Sequence, residues 1–327
     1  MLIEIFYLII GLIILVAGAD ALIKGATALA RSFGVSTLII GLTVVAFGTS
    51  APELFVSLVA AWRGTADVAV GNVVGSNIFN ILIVIGLAAA FSPITISNAV
   101  RTRELPIMTL ALAIFWWMSS DYLLSRIEGI LLFCCIIAYL LMNYFIVKHN
   151  KVVLPAISEL DLELQEDAPS STPALLKNTV MVILGLAGLV FGADLMVDSA
   201  TYIAREMGVS ELVIGITLIA VGTSLPELAT TLVAAYRGEP ELIVGNAIGS
   251  NIFNVLCVIG ATAAVSRNAL EVNPKALVLD FPFMFAASFI MLPLAWCLGK
   301  VHKVTGVIMV LSYAAYVYLT FVNQGGV

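Results

Sequence analysis

The sequence predicts an all-α polytopic membrane protein, with ten transmembrane helices in two inverted five-helix repeats. Three observations carry that prediction. Of the 327 residues, 61% are hydrophobic and only 11% are Asp, Glu, Lys or Arg, where a soluble globular protein carries about 25% charged residues. The chain divides into apolar stretches near the length a helix needs to cross a bilayer, about 20 residues. Its two halves also repeat each other. The composition disfavours a soluble enzyme, a secreted scaffold and a disordered regulator, and places the chain in the lipid bilayer. The net charge of -6 repels phosphate backbones, so nucleic acid is not an expected partner.

Spans are expected near 3–23, 36–61, 68–90, 104–119 and 126–147, and then near 175–197, 210–235, 241–264, 276–298 and 304–322. They define a first repeat at 1–147, an acidic linker at 148–174 and a second repeat at 175–327. The linker holds Glu159, Asp161, Glu163, Glu166 and Asp167 among Pro155, Pro169 and Pro173, and reads as a solvated loop. The first 20 residues have neither the basic n-region nor the small-residue cleavage site of a signal peptide, so they read as the first span. Cys134, Cys135, Cys257 and Cys297 lie in apolar runs without metal or CxxC spacing and read as packing residues. His149 and His302 lie in charged junctions.

The duplication is explicit. Gly34 to Gly64 aligns without a gap with Gly208 to Gly238 at an offset of 174, with 20 of 31 positions identical; Gly71 to Gly86 aligns with Gly245 to Gly260, with 12 of 16 identical. Five spans per copy is an odd number, so the second copy enters the membrane from the opposite side. Inverted repeats of this kind are the mark of alternating-access transporters. With the N-terminus outside, ten basic residues (Lys24, Arg31, Arg101, Arg103, Lys148, Lys151, Lys177, Arg237, Lys300 and Lys303) fall inside and five (Arg63, Arg126, Arg205, Arg267 and Lys275) outside. The asymmetry predicts both termini outside and a cytoplasmic linker.

The identities concentrate where polar atoms sit at membrane depth. Span 2 carries Gly48-Thr49-Ser50-Ala51-Pro52-Glu53 and span 7 carries Gly222-Thr223-Ser224-Leu225-Pro226-Glu227. Proline has no amide hydrogen and clashes with the carbonyl four residues back, so each span should break there. A broken helix in hydrocarbon must be buried in protein or line a cavity. Spans 3 and 8 carry Asn72, Ser76 and Asn80, and Asn246, Ser250 and Asn254, as polar stripes at a spacing of four. Gly71 and Gly75, with Gly245 and Gly249, allow close helix approach. Carboxylate, hydroxyl, amide and carbonyl oxygens without thiolate or imidazole suit hard cations such as Na+ and Ca2+. Glu53 and Glu227 supply two negative charges, enough for one divalent or two monovalent ions. Placing an acidic residue at a helix centre costs about 2.5 to 3.5 kcal/mol on insertion scales, which marks both as functional. Asp20 and Asp194 repeat in a GAD triplet near helix ends, where pairing with Lys24 or water suffices. Glu104 and Asp280 read as interfacial, and Trp116 and Trp117 as an aromatic belt.

These paired GTSxPE and GNxxGSNIFN segments resemble the alpha-repeats of the cation/calcium antiporter superfamily, most closely its prokaryotic sodium/calcium exchanger branch. The resemblance implies ten helices, with spans 2, 3, 7 and 8 as a core and spans 1 and 6 sliding across it. It also implies ion ligands at the Ala46 carbonyl, Thr49, Ser50, Glu53, Ser76 and Asn80, and at the Ala220 carbonyl, Thr223, Ser224, Glu227, Ser250 and Asn254. Several members carry Asp in place of one of the two Asn residues at Asn80 and Asn254. This chain has Asn at both, one protonatable group fewer, which bears on stoichiometry, potassium dependence and divalent-ion preference.

The expectation is a secondary antiporter in a prokaryotic inner membrane that exchanges Na+ for Ca2+ at one shared site. It is not an enzyme and needs no cofactor. A proton/cation antiporter using the same glutamates stays open. An intramembrane hydrolase is the remote alternative: the chain has no HExxH, and neither histidine can serve a mid-membrane serine.

Overall fold

The computed structural model describes residues 2–149, 172–207 and 220–323. Most of the expected linker and residues 210–219 of the expected seventh span lie outside these. Among the described residues, seven helices are long and apolar enough to cross a membrane, and a bent pair makes an eighth. The seven are α1 (Leu2–Phe33), α4 (Ala66–Phe91), α6 (Arg126–Ile146), α7 (Pro173–Ile203), α10 (Pro240–Val265), α11 (Pro274–Leu298) and α12 (Lys303–Thr320). The bent pair is α2 (Thr37–Thr49) and α3 (Ala51–Trp62). Shorter helices are α5 (Leu105–Met118), α8 (Ala220–Thr223) and α9 (Leu225–Arg237).

α1 and α7, whose helix in full runs over Thr172–Glu206, both outlast the spans expected at 3–23 and 175–197. In α1 the charges that mark an end in the sequence are satisfied within the helix instead, with Lys24 paired to Asp20 one turn away at 2.8 Å. The two helices lie against each other along glycines. A Cβ on Gly18 would stand 2.8 Å from the Leu189 nitrogen, and one on Gly185 2.6 Å from the Leu22 nitrogen. Partners fall in number along α1, from Gly192 opposite Gly11 to Asn178 opposite Gly25, so the helices run antiparallel. Small residues let backbones meet where lipid offers no hydrophobic drive between helices.

The pair covers a buried interior built on α4 and α10, where Val73, Ile78, Ala247 and Ile252 have no exposed surface. The chain breaks where proline predicts. α2 and α3 meet at 42°. The joint is Ser50, at φ -82° and ψ 5°, with Pro52 in the first turn of α3. Ser224, at φ -95° and ψ 7°, is the matching joint between α8 and α9. Pro52 and Pro226 sit where the missing amide is one a helix start leaves unpaired anyway.

Other features are not legible in hydrophobic pattern. Among the described residues four π-helical turns occur, including Asn80–Ile85 within α4 and Asn254–Ile259 within α10. Two antiparallel pairings of two residues each tie the halves together at their ends, Ile94–Thr95 with Lys300–Val301 and Leu123–Leu124 with Leu270–Glu271. Cys257 is buried as expected of a packing residue, but Cys134, Cys135 and Cys297 are exposed. Glu104, expected at the membrane interface, is fully buried within the protein. The Arg103 guanidinium pairs with it and the Tyr139 hydroxyl donates to it at 2.9 Å, which offsets the burial of the charge. Asp280 is half-buried and accepts from the Tyr316 hydroxyl at 3.0 Å.

Candidate functional site

The two breaks and the two buried helices bring most of the sequence-predicted polar residues together. Thr49, Ser50, Glu53, Ser76, Asn80, Ser224, Glu227, Ser250 and Asn254 are all at most 3% exposed. The connections cross between the repeats. Ser224 donates to Oε1 of Glu53 at 3.0 Å, and Ser50 donates to Oε1 of Glu227 at 3.2 Å. Within each repeat Ser76 reaches Glu53 and Ser250 reaches Glu227, both at 3.4 Å. Each carboxylate is therefore held by the serine of its own buried helix and by the serine at the opposite break.

A second crossing braces the first. Thr49 donates to Oδ1 of Asn246 at 3.1 Å, and Thr223 to Oδ1 of Asn72 at 3.3 Å. The amides point back along the repeat. Asn72 donates to the Glu53 carbonyl and to Ser57, and Asn246 to the Glu227 carbonyl and to Thr231. Asn72 and Asn246 therefore hold the first turn after each break in place. The Ala46 carbonyl accepts the Ser50 amide at 3.0 Å and the Thr49 hydroxyl at 3.3 Å. Ala220 opens α8, and what precedes it lies outside the described residues.

Several buried atoms in this cluster have no hydrogen-bond partner among the described residues: Oε2 of Glu53, Oε2 of Glu227, Oδ1 of Asn80, and both amide atoms of Asn254. An unpaired buried polar atom loses the hydration it had in water, and for a carboxylate that loss is large. No Lys or Arg side chain bonds to either glutamate among the described residues. Nor do the described residues contain a group of three His, Cys, Asp or Glu that could hold a metal. The four unsatisfied oxygens are of carboxylate and amide type, the donor type that hard cations favour.

Asn80 and Asn254 each open a π-helical turn. Such turns insert a residue into the helical ladder and often occur at functional sites.

Some contributors escape sequence reading. Asn251 accepts from Asn80 at 3.1 Å and donates to the Asn77 carbonyl at 3.3 Å, which joins α4 to α10 at the centre. Ser57 and Thr231 anchor the two amides. Both pairs repeat at the 174 offset, the one signal that could have found them. Glu241 is a third case: its Oε2 accepts from the Thr37 hydroxyl at 2.8 Å and from the Leu38 amide at 3.2 Å, so α10 caps the start of α2. Gly245 and Gly249 press on α2 as expected, a Cβ on Gly249 standing 2.7 Å from the Ala46 Cβ. The partners the repeat assigns to Gly71 and Gly75 fall largely in 208–219, outside the described residues. Asp20 pairs with Lys24, as expected, and also with Arg237 at the end of α9.

Comparison with known proteins agrees with this architecture. The family model described as sodium/calcium exchanger protein matches residues 3–145 and 177–322. Inner membrane protein YrbG of Escherichia coli (strain K12) is 40% identical over 301 residues, which are 90% of this chain and 90% of that protein. Sodium/calcium exchanger MaX1 of Methanosarcina acetivorans is 32% identical over 346 residues, 96% and 97% of the respective chains. Among solved structures, the sodium-calcium exchanger NCX_Mj soaked with 10 mM Na+ and 10 mM Sr2+ superposes with a TM-score of 0.81 at 30% identity, covering 98% of each chain. With its two polar breaks, its helical membrane fold and these matches, the chain belongs to the sodium/calcium exchanger family of multi-pass cation antiporters.

Proposed function

We propose that this protein is a secondary antiporter that moves Na+ and Ca2+ in opposite directions through one shared site. Its ligands are the Ala46 carbonyl, Thr49, Ser50, Glu53, Ser76 and Asn80, with the Ala220 carbonyl, Thr223, Ser224, Glu227, Ser250 and Asn254. The observation that carries the reading is the pair of buried glutamates, each with one oxygen held by serines and the other without a partner among the described residues. Two negative charges match one Ca2+ or two Na+. An empty site would hold two uncompensated carboxylates away from water, at a cost of several kcal/mol per ion. That cost suppresses crossing without cargo, so the cycle is an exchange.

In this reading the chain forms ten spans in two inverted halves, 1–147 and 175–327, around a cytoplasmic linker at 148–174, with both termini outside. The antiparallel run of α1 against α7 supports the inversion, since the two hold equivalent places in the repeats. The matched joints at Ser50 and Ser224 support a site shared equally by both halves.

Uptake of radiolabelled Ca2+ into proteoliposomes, with and without an opposed Na+ gradient, tests the proposal. Uptake should rise when Na+ leaves the vesicle down its gradient. Uptake that ignores Na+ and follows a pH gradient would replace it with proton/cation antiport at the same glutamates.

A further inference from the structure

The GAD triplets of α1 and α7 place an acid at matching positions of the two repeats, Asp20 and Asp194. The ends of α9 and α3 place a base at matching positions, Arg237 and Arg63, again at the 174 offset. Only one of the two possible pairs is made. Nε of Arg237 donates to Oδ1 of Asp20 at 2.8 Å, while Lys24 holds Oδ2 at 2.8 Å. Among the described residues, Asp194 and Arg63 form no ion pair with each other or with any other group.

Helix packing is one-sided in the same sense. α1 packs along α9, whereas α7 makes almost no contact with α3, the equivalent couple. The cause does not lie between α1 and α7, whose contacts come in matched pairs. Gly18 lies against Leu189 and Gly192 against Leu15, and Gly11 lies against Met196 and Gly185 against Leu22. The cause lies in how the two helices sit on the rest. Gly48 and Gly222, the matched glycines of the two breaks, both lie closest to α7, at Leu186 and Val197. A symmetric helix pair thus sits off-centre on a duplicated core, and the repeat supplies an equivalent seat with the halves exchanged. In that seat α7 packs along α3, Asp194 meets Arg63, and Asp20 parts from Arg237.

We propose that Asp20 with Arg237 is the latch of the described state and Asp194 with Arg63 the latch of the opposite state, each made in turn as α1 and α7 move together along the core. The proposal rests on the antiport reading in needing two states. The exchange strands no charge: Asp20 keeps Lys24, and Arg237 keeps the attraction of Glu239. Asp198 stands one turn beyond Asp194, where the first repeat has Lys24, so Arg63 gains a second carboxylate nearby. A partly exposed ion pair is worth little, which suits a contact that each cycle must break.

The experiment traps each latch by cross-linking in the full chain, reconstituted in liposomes, with Cys134, Cys135, Cys257 and Cys297 replaced by Ala. Asp20→Cys with Arg237→Cys, and separately Asp194→Cys with Arg63→Cys, are oxidised, and peptide mass spectrometry follows the disulfides. Both should form, the second more slowly. Adding Arg237→Gln to the second pair opens the first latch and should speed its cross-linking roughly twofold to fivefold, the worth of such an ion pair. Arg237→Lys keeps the charge and should leave the rate near its starting value, which general loosening of the fold would not do. No cross-link between positions 194 and 63, or a rate unchanged by Arg237→Gln, would overturn the proposal. No ion gradient is imposed, so cross-linking as expected without Na+-driven Ca2+ uptake would refute the antiport reading alone.

Discussion

The hydroxyl of Ser224 donates to Oε1 of Glu53 at 3.0 Å, although the two residues belong to different repeats. Ser50 and Glu227 form the reciprocal bond at 3.2 Å. Each break therefore carries a ligand for the carboxylate beside the other break. A change in the angle at Ser50 or Ser224 alters the oxygens around both glutamates, which gives the proposed site a direct route from helix geometry to ion affinity.

That bond should be measurable as coupling. Ser224→Ala and Glu53→Gln, made singly and together, should be non-additive in Ca2+ affinity by about 0.5 to 3 kcal/mol, the range for residues in contact. Calorimetric titration of the four proteins with Ca2+ supplies the cycle. Strict additivity would separate Ser224 from the site.

Glu53→Gln and Glu227→Gln should split stability from binding. Each removes a buried carboxylate whose Oε2 is unpaired. The cation-free variants should unfold at or above the wild-type temperature, because an unneutralised buried charge costs several kcal/mol. Wild type should gain stability with Ca2+ by ligand linkage, and both variants should lose most of that gain. Thermal unfolding across a Ca2+ series reads both effects.

The glycine contact between α1 and α7 should tolerate no added methyl. In Gly185→Ala the new Cβ would stand 2.6 Å from the Leu22 nitrogen, a backbone atom that cannot move aside alone. The variant should lose about 1 to 3 kcal/mol, as overpacked positions do. An unfolding midpoint equal to wild type would show that the two helices separate without cost.

Glu241 should matter although it lies outside the proposed ligand set. It caps α2 through Thr37 and the Leu38 amide. Glu241→Ala should cost about 0.5 to 2 kcal/mol, the range for a lost cap. The loss should appear as faster hydrogen exchange at Leu38 and the following amides.

Glu239 sets a pH dependence with a definite sign. Burial raises its pKa, so the folded protein holds this proton more tightly than the unfolded chain. Its contribution to stability is complete below the unfolded value and is lost as pH rises through the folded one. Glu239→Gln should flatten the unfolding midpoint over that window, and an unchanged slope would remove Glu239 as its source.

The sequence by itself determined the solvent, the main helices and the family. Charge scarcity and apolar length need no tertiary contact to be read, and neither does a duplication with 20 of 31 identities. It also brought Glu53, Ser76, Glu227 and Ser250 to attention, because a carboxylate in hydrocarbon is costly wherever the helices around it go. Proline placed both breaks within two residues of where they occur, since a missing amide acts locally.

Only the tertiary structure decided who bonds to whom. Ser224 with Glu53, Thr49 with Asn246, and Arg237 with Asp20 are pairs between residues more than 150 positions apart, and periodicity along a chain carries no information about them. The same holds for Glu104, which the sequence assigns to an interface and the fold buries beside Arg103 and Tyr139. The lengths of α1 and α7 belong here too. In α1 the polar end carries a local pair, Lys24 with Asp20, and Asp20 gains Arg237 only once α9 has packed against α1.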